Sequence, residues 1–336
     1  MSLRIDSSFD LRGYIESEIG GRAENQDSAG ALDTNIGTVV VVCDGMGGMK
    51  GGKTASMMAV QTIIDDVSLA GPDDSPEDVL IKAFRHAHEN ILKAGKDDPE
   101  LEGMGTTVTT VIISKKCATI AHLGDSRVYQ LRGKKKVFRT VDHSFVSELV
   151  KSGSLTEEQA RLSAQSNIIL KALGVDCDVT PDIVVVPYLK GDRFVLCTDG
   201  FWGACSEDEF IDMLTRKDFL RDVLCNASNE VNRIGIESGG GHDNYTAAVF
   251  DVLCESKIKP AMSRKLKITL SAIVVLLMCS LYVNFRSLMK ICKDEDRLEL
   301  AREYALEVCQ IQDTTDASPA MRDFLDSFAH PVDSIL

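Results

Sequence analysis

The close spacing of short β-branched runs constrains this chain more than any other feature. TVVVVCD (38–44), TTVTTVIIS (106–114), CATIAHLG (117–124), RVYQLR (127–132), KVFRT (136–140), DIVVVPY (182–188), RFVLCTD (193–199) and NYTAAVFDV (244–252) have the length and content of strands. Several follow one another after only two to five residues. A parallel neighbour needs a crossover of about a dozen residues or more, so these runs pair as antiparallel hairpins. Helical periodicity is found at 53–67, 76–95, 144–152, 156–165 and 206–236. Strands in runs, kept apart from helices in runs, predict an α+β sandwich and argue against a Rossmann-type sheet.

Composition narrows the chemistry. The chain has 336 residues, 44% of them apolar, enough to bury a sizeable core. A net charge of −14 and a single tryptophan argue against nucleic acid as a partner, because the charge repels a phosphate backbone. The ten cysteines contain no CxxC pair, and Cys43 and Cys197 end apolar runs. They read as reduced core residues, which places the globular part in the cytosol. The amino terminus, with charges scattered through MSLRIDSSFDLRGYIES, has no signal-peptide pattern.

The carboxyl-terminal quarter differs. Residues 268–285 (ITLSAIVVLLMCSLYVNF) carry no charge and reach the lower length limit of a membrane-spanning helix. Lys257, Lys259, Arg264, Lys265 and Lys267 precede the run and slightly outnumber the bases after it, which favours a cytoplasmic amino-terminal side. The expected organisation is a globular part over 1–252, a basic juxtamembrane linker over 253–267, a transmembrane helix over 268–285 and an acidic tail over 286–336. The tail is partly helical, with Leu298, Ala301, Ala305, Val308 and Ile311 at helical spacing. The expected location is a membrane, single-pass, with the catalytic domain in the cytoplasm.

Aspartates mark the ends of the apolar runs. Asp44 closes VVVVC and precedes Gly45; Asp199 closes RFVLCT and precedes Gly200; Asp125 follows AHLG; Asp243 opens the last run; Asp27 ends the polar stretch RAENQD. A carboxylate at the end of a buried strand is costly unless something satisfies its charge. Hard cations do so, since Mg²⁺ and Mn²⁺ take carboxylate, carbonyl and water oxygens. Singly, Asp-Gly is a common turn dipeptide. Among the histidines, His86 and His88 read as solvated and His122 as a packed core imidazole, while His143 and His242 adjoin two of the acidic motifs.

In order and spacing these motifs resemble the PPM/PP2C metal-dependent serine/threonine protein phosphatases of the compact bacterial type. The likeness runs from about Tyr14 to Val252 and includes RAENQD (22–27), VCDGMGG (42–48), GTT (105–107), GDSRVY (124–129), DHS (142–144), CTDG (197–200) and HDN (242–244). VSELVKSGSLTEEQA (146–160) is similar to the family's stretch leading into a mobile flap. The resemblance implies a four-layer αββα sandwich of two antiparallel sheets flanked by helices. It also implies two Mn²⁺ or Mg²⁺ ions, with a weaker third. Asp44 bridges the two metals with the Gly45 carbonyl on one of them, Asp199 and Asp243 complete the other's protein ligands, and Asp27 holds a metal or its water from the opposite side. Asp125 shares the third metal with Asp199, Arg22 grips the substrate phosphate, and Asn244 shapes the loop. Asp44 and Arg22 are the expected catalytic residues.

The implied reaction is hydrolysis of phosphoserine and phosphothreonine in proteins by a metal-activated water, with a Ser/Thr protein kinase as the opposing partner and no phosphoenzyme. Met46 stands where eukaryotic relatives carry a proposed acid histidine, Gln26 where some carry a carboxylate, and Lys53 where Glu is usual. Two other readings remain: a catalytically weak module that uses the fold for binding or regulation, and a hydrolase of small phosphate esters. The complete aspartate set speaks against the first. Comparing phosphopeptide with small-ester turnover separates the second.

Overall fold

A computed structural model of the chain describes residues 2–7, 11–47, 50–258, 276–278 and 280–282. The chain divides into a unit over 1–260 and a second over 261–336. In the first unit the order is β1 (Ser2–Asp6), β2 (Leu11–Glu18), β3 (Ser28–Thr34), β4 (Gly37–Cys43), β5 (Gly45–Met46), α1 (Gly51–Ser68), α2 (Pro76–Asp97), β6 (Gly105–Thr106), β7 (Val108–Ile113), β8 (Ala118–Leu123), β9 (Arg127–Arg132) and β10 (Lys135–Arg139). It continues with α3 (Phe145–Lys151), α4 (Glu157–Arg161), β11 (Asp182–Val186), β12 (Asp192–Cys197), α5 (Asp199–Trp202), α6 (Glu207–Leu214), α7 (Leu220–Glu237) and β13 (Tyr245–Val252).

The strands form a six-stranded sheet, β1-β2-β13-β12-β9-β10, a five-stranded sheet, β11-β8-β7-β4-β3, and the short β5-β6 pair. Every pairing is antiparallel. Alternate side chains of one strand serve two cores. Val39, Val41 and Cys43 of β4 meet Ala59, Ile63, Phe84 and Ile91 of α1 and α2, while Val40 and Val42 join Phe194, Leu196 and Phe250 between the sheets. On the other side Val195 and Cys197 of β12 pack with Phe210, Val223 and Val231 of α6 and α7. A strand covered on both faces loses the apolar–polar alternation of a half-solvated one, which is why VVVVC is apolar throughout. The expected two-sheet sandwich flanked by helices is the one observed.

Several elements differ from the sequence expectation. β1, β2 and β3 go unpredicted, and the periodic stretch 206–236 is two helices, α6 and α7, separated by 215–219. α6 begins with a reciprocal cap in which Ser206 and Glu209 satisfy each other's main-chain N–H groups. The chain also continues to bond into the domain past Val252. Ser256 N–H donates to the Tyr188 carbonyl at 3.1 Å, and the N–H groups of Lys257 and Ile258 donate to Lys115 and Lys116 carbonyls at 3.0 Å. The first residues of the supposed linker therefore belong to the fold.

The expected membrane placement requires correction. No helix among the described residues is long and apolar enough to cross a membrane. The run 268–285 lies outside the described residues apart from 276–278 and 280–282, which are helical. Eighteen residues rising 1.5 Å each reach only about 27 Å, short of a hydrocarbon core of roughly 30 Å. Thr269, Ser271, Ser280 and Asn284 weaken the run further, so reaching the lower length limit without a charge is an insufficient criterion. The single-pass location, with the membrane as partner, is withdrawn. The tail over 286–336 also lies outside the described residues.

Candidate active site

Register gathers the aspartates. The pairing Ser28↔Cys43 puts Asp27, just before β3, opposite Asp44, just after β4. In the other sheet Cys197 pairs with both Arg127 and Ala247, so Asp199, Asp125 and Asp243 emerge at the same edge as one another. Thr198 joins the sheets: its hydroxyl donates to Asp27 Oδ2 at 3.0 Å and accepts from Thr246 N–H at 2.9 Å. Asp44 is held from behind. Its N–H donates to Thr107 Oγ1 at 3.0 Å, while its carbonyl accepts from Thr107 N–H and Thr106 Oγ1, both at 2.8 Å. These threonines give the GTT motif a positioning role that sequence reading did not assign.

The loop carrying Arg22 and Asp27 is tied by three side chains, those of Asn244, Lys53 and Ser56. Asn244 Nδ2 donates to the Ile19 and Glu24 carbonyls at 2.7 and 2.9 Å, and its Oδ1 accepts from Gln26 N–H at 2.8 Å. From α1, Lys53 Nζ donates to the Asp27 carbonyl at 2.9 Å and Ser56 Oγ to the Gln26 carbonyl at 2.5 Å. Lys53 is thereby explained as a tether of this loop. Arg22 is half exposed at the mouth and pairs with Asp243 at 2.8 Å. Close approach fixes two glycines: a Cβ at Gly45 would sit 2.0 Å from the Gly52 carbonyl oxygen, and one at Gly200 would sit 2.0 Å from that of Asn244.

The carboxylates are under mutual repulsion. Burial pushes Asp27 up to about 7, with Asp199 and Asp243 adding to the rise and the hydroxyls of Thr246 and Thr198 opposing it. Burial, then Asp243, pushes Asp199 up to about 6. Asp44 and Asp125 are driven well above the carboxylate range, by burial first and then by neighbours that include Asp199 in both cases. Asp27 Oδ1, Asp125 Oδ1 and Asp199 Oδ1 are buried without a hydrogen-bond partner. Orphaned anionic oxygens converging from separate strands fit a divalent cation held by oxygen ligands.

The environment sets other side chains apart. Cys43, beneath Asp44, is fully buried and its thiol is pushed well up by burial, so no thiolate nucleophile stands here. The seven described cysteines are all free. A cavity of about 220 Å³ opens beside Asp125, lined among others by Arg127, Ser144, Arg161 and Trp202. His122, His143 and Asp182 form a second cluster, with ligand atoms within 4.8 Å of one another. The two rings are stacked 4.7 Å apart and parallel within 3°, so one ion cannot lie in both ring planes. His122 Nε2 bonds the Val141 carbonyl at 2.9 Å, and His143 Nδ1 accepts from Gly124 N–H at 3.1 Å. His122 is packed as expected. His88, expected in solvent, instead accepts from Gly174 N–H at 3.1 Å, and His242 bonds Asn232 rather than the acidic cluster.

Comparison with known proteins places these features. The family model for protein phosphatase 2C matches residues 16–251. A serine/threonine phosphatase, stp, of Listeria welshimeri is 34% identical over 237 residues, covering 68% of this chain and 91% of the relative. The solved serine/threonine phosphatase of S. agalactiae superposes with a TM-score of 0.64 at 31% identity, over 72% of this chain and 99% of that one. The catalytic domain of the serine/threonine protein phosphatase PstP, solved in complex with two manganese ions, gives 0.62 at 30% identity, over 72% and 98%. The chain described here belongs to the protein phosphatase 2C family.

Proposed function

We propose that this protein hydrolyses phosphoserine and phosphothreonine monoesters in proteins, with divalent cations held by the acidic cluster. The observation that carries this reading is the set of buried, unpartnered oxygens on Asp27, Asp125 and Asp199, gathered by strand register within a PP2C-family fold. Asp44, Asp199, Asp243 and Asp27 would hold two ions, Mn²⁺ or Mg²⁺, with the Gly45 carbonyl beside them, and Asp125 with Asp199 would hold a weaker third. When bound, such ions acidify water and offset the charge of a phosphoryl group.

The chain's own groups do the rest. Arg22, at the mouth, takes the equatorial phosphate oxygens through its fork of N–H donors. Thr106, Thr107, Thr198 and Asn244 fix the carboxylates so that no reorganisation is needed as charge develops. No side-chain nucleophile enters: water adds to phosphorus, the ester oxygen leaves as the serine or threonine hydroxyl, and inorganic phosphate is released. Met46 cannot donate a proton, so the position used by eukaryotic relatives supplies no acid. The substrate chemistry requires a Ser/Thr protein kinase to make the phosphoester that this enzyme removes. Residues 1–252 supply every proposed ligand, and the bonds of 256–258 make Ile258 the sensible end of a minimal unit.

The test is turnover of a phosphothreonine peptide by the full chain with Mn²⁺, followed by EDTA, beside p-nitrophenyl phosphate. Peptide turnover that EDTA abolishes is expected. Turnover that survives EDTA sinks the metal assignment, turnover of the small ester alone gives the small-ester reading, and no turnover of either favours a binding module.

A further inference from the structure

Trp202, the only tryptophan in the chain, ends the single helical turn that Asp199 begins. Its indole Nε1 donates to the main-chain carbonyl of Asp125 at 3.1 Å. The turn itself is closed by Gly203 N–H on the Asp199 carbonyl at 2.7 Å. One side chain therefore ties the segment leaving β12 to the segment entering β9. Those two segments carry Asp199 and Asp125, whose carboxylates repel each other in a buried setting.

The indole is clamped as well as bonded. The Arg127 guanidinium carbon lies 3.3 Å from the ring centroid. Arg127 is in turn fixed by both oxygens of Asp142, at 2.9 and 2.7 Å, and by Tyr129 Oη at 3.1 Å. A ring so held has little freedom to swing, and its N–H sets where the Asp125 main chain sits. Asp125 Oδ1 is buried and unpartnered, so its carboxylate is available to a ligand.

We propose that Trp202 is a positioning residue that sets the spacing of Asp125 and Asp199, and through it the affinity for the weaker cation these carboxylates share. This rests on the metal-binding role of Asp125 given above. Trp202 acts through the Asp125 main chain to which it is bonded.

The experiment titrates the full chain with MnCl₂ alone by calorimetry, using wild type, W202F and D125N. W202F keeps an aromatic face under Arg127 and removes the N–H donor. Wild type should show a tight and a weak class of sites, and D125N should lack the weak one. W202F should bind its weak class about fivefold less tightly, the size of one lost hydrogen bond, with the tight class unchanged. In wild type the indole emission should change over the weak-class range, a step absent from D125N. W202F titrating like wild type, or losing both classes alike, overturns the positioning role. A wild-type emission silent over the weak range does the same even if W202F fails to fold. D125N retaining the weak class removes the metal reading and this proposal with it.

Discussion

Two buried carboxylates in this sandwich meet opposite fates. Asp192, at the start of β12, is fully buried and saturated: Arg132 bonds both its oxygens at 2.7 and 2.8 Å, Gln130 Nε2 reaches it at 2.8 Å and Leu189 N–H at 2.9 Å. Burial pushes it up, but those donors outweigh burial and leave it below the usual range. Asp27, at the other end of the sandwich and likewise shielded from solvent, keeps one oxygen without a partner and is pushed up to about 7. The chain satisfies a structural charge from its own donors. On the function proposed above, the oxygen it leaves unpartnered on Asp27 is the one meant for a cation.

The largest effect that tests this contrast is on activity. Asp44→Asn or Asp199→Asn should cut Mn²⁺-dependent phosphopeptide turnover by at least about 10³-fold, beyond the 10–100-fold expected when only an outer partner of a ligand is lost. Circular dichroism should stay unchanged; near-normal turnover would remove the aspartates from the chemistry. Stability comes next, with opposite signs at the two sites. Asp192→Asn breaks a buried ion pair whose Arg132 partner is 37% exposed, so the loss should be about 2–3 kcal/mol, below the 3–5 kcal/mol seen when both partners are buried. Asp27→Asn removes one of the repelling charges and should raise the melting temperature in EDTA. Denaturant melts of both variants in EDTA check this, and shifts of the same sign would collapse the distinction.

What the sequence made legible follows the same physics. Runs such as VVVVC and RFVLC announce themselves because both faces of their strands are covered. β3 (SAGALDT) does not, since its strand state comes from pairing with β4 and packing against α1, not from β propensity. The aspartates were readable because a charge ending an apolar run is anomalous locally. Thr107, Thr198 and Trp202 were not, because their bonds span 63, 171 and 77 positions of chain and only the fold creates them. For that reason too His88 was misjudged and Lys53 was left without a role. The apolar run at 268–285 shows the reverse error, a local pattern trusted without a length margin.

The smallest effect concerns pH. Unfolded aspartates titrate near 3.9, whereas Asp27 is raised to about 7 and Asp199 to about 6. Through that range the folded metal-free chain binds more protons than the unfolded one, so its stability falls as pH rises, and Asp44 and Asp125, raised as well, add to the fall. His122 and His143, held low mainly by burial, add a slope of opposite sign below the ordinary imidazole value of about 6.5. They are present with and without metal, so the difference between the two conditions isolates the acidic cluster. A cation replaces the protons, and the gap between melting temperatures in saturating Mn²⁺ and in EDTA should widen by several degrees from pH 5 to 7. Asp27→Asn should flatten that widening, whereas Asp192→Asn should leave it intact because Asp192 already has its partners. A gap independent of pH would mean that the carboxylates of the centre are as well satisfied as Asp192, and the contrast between the two ends of the sandwich would be lost.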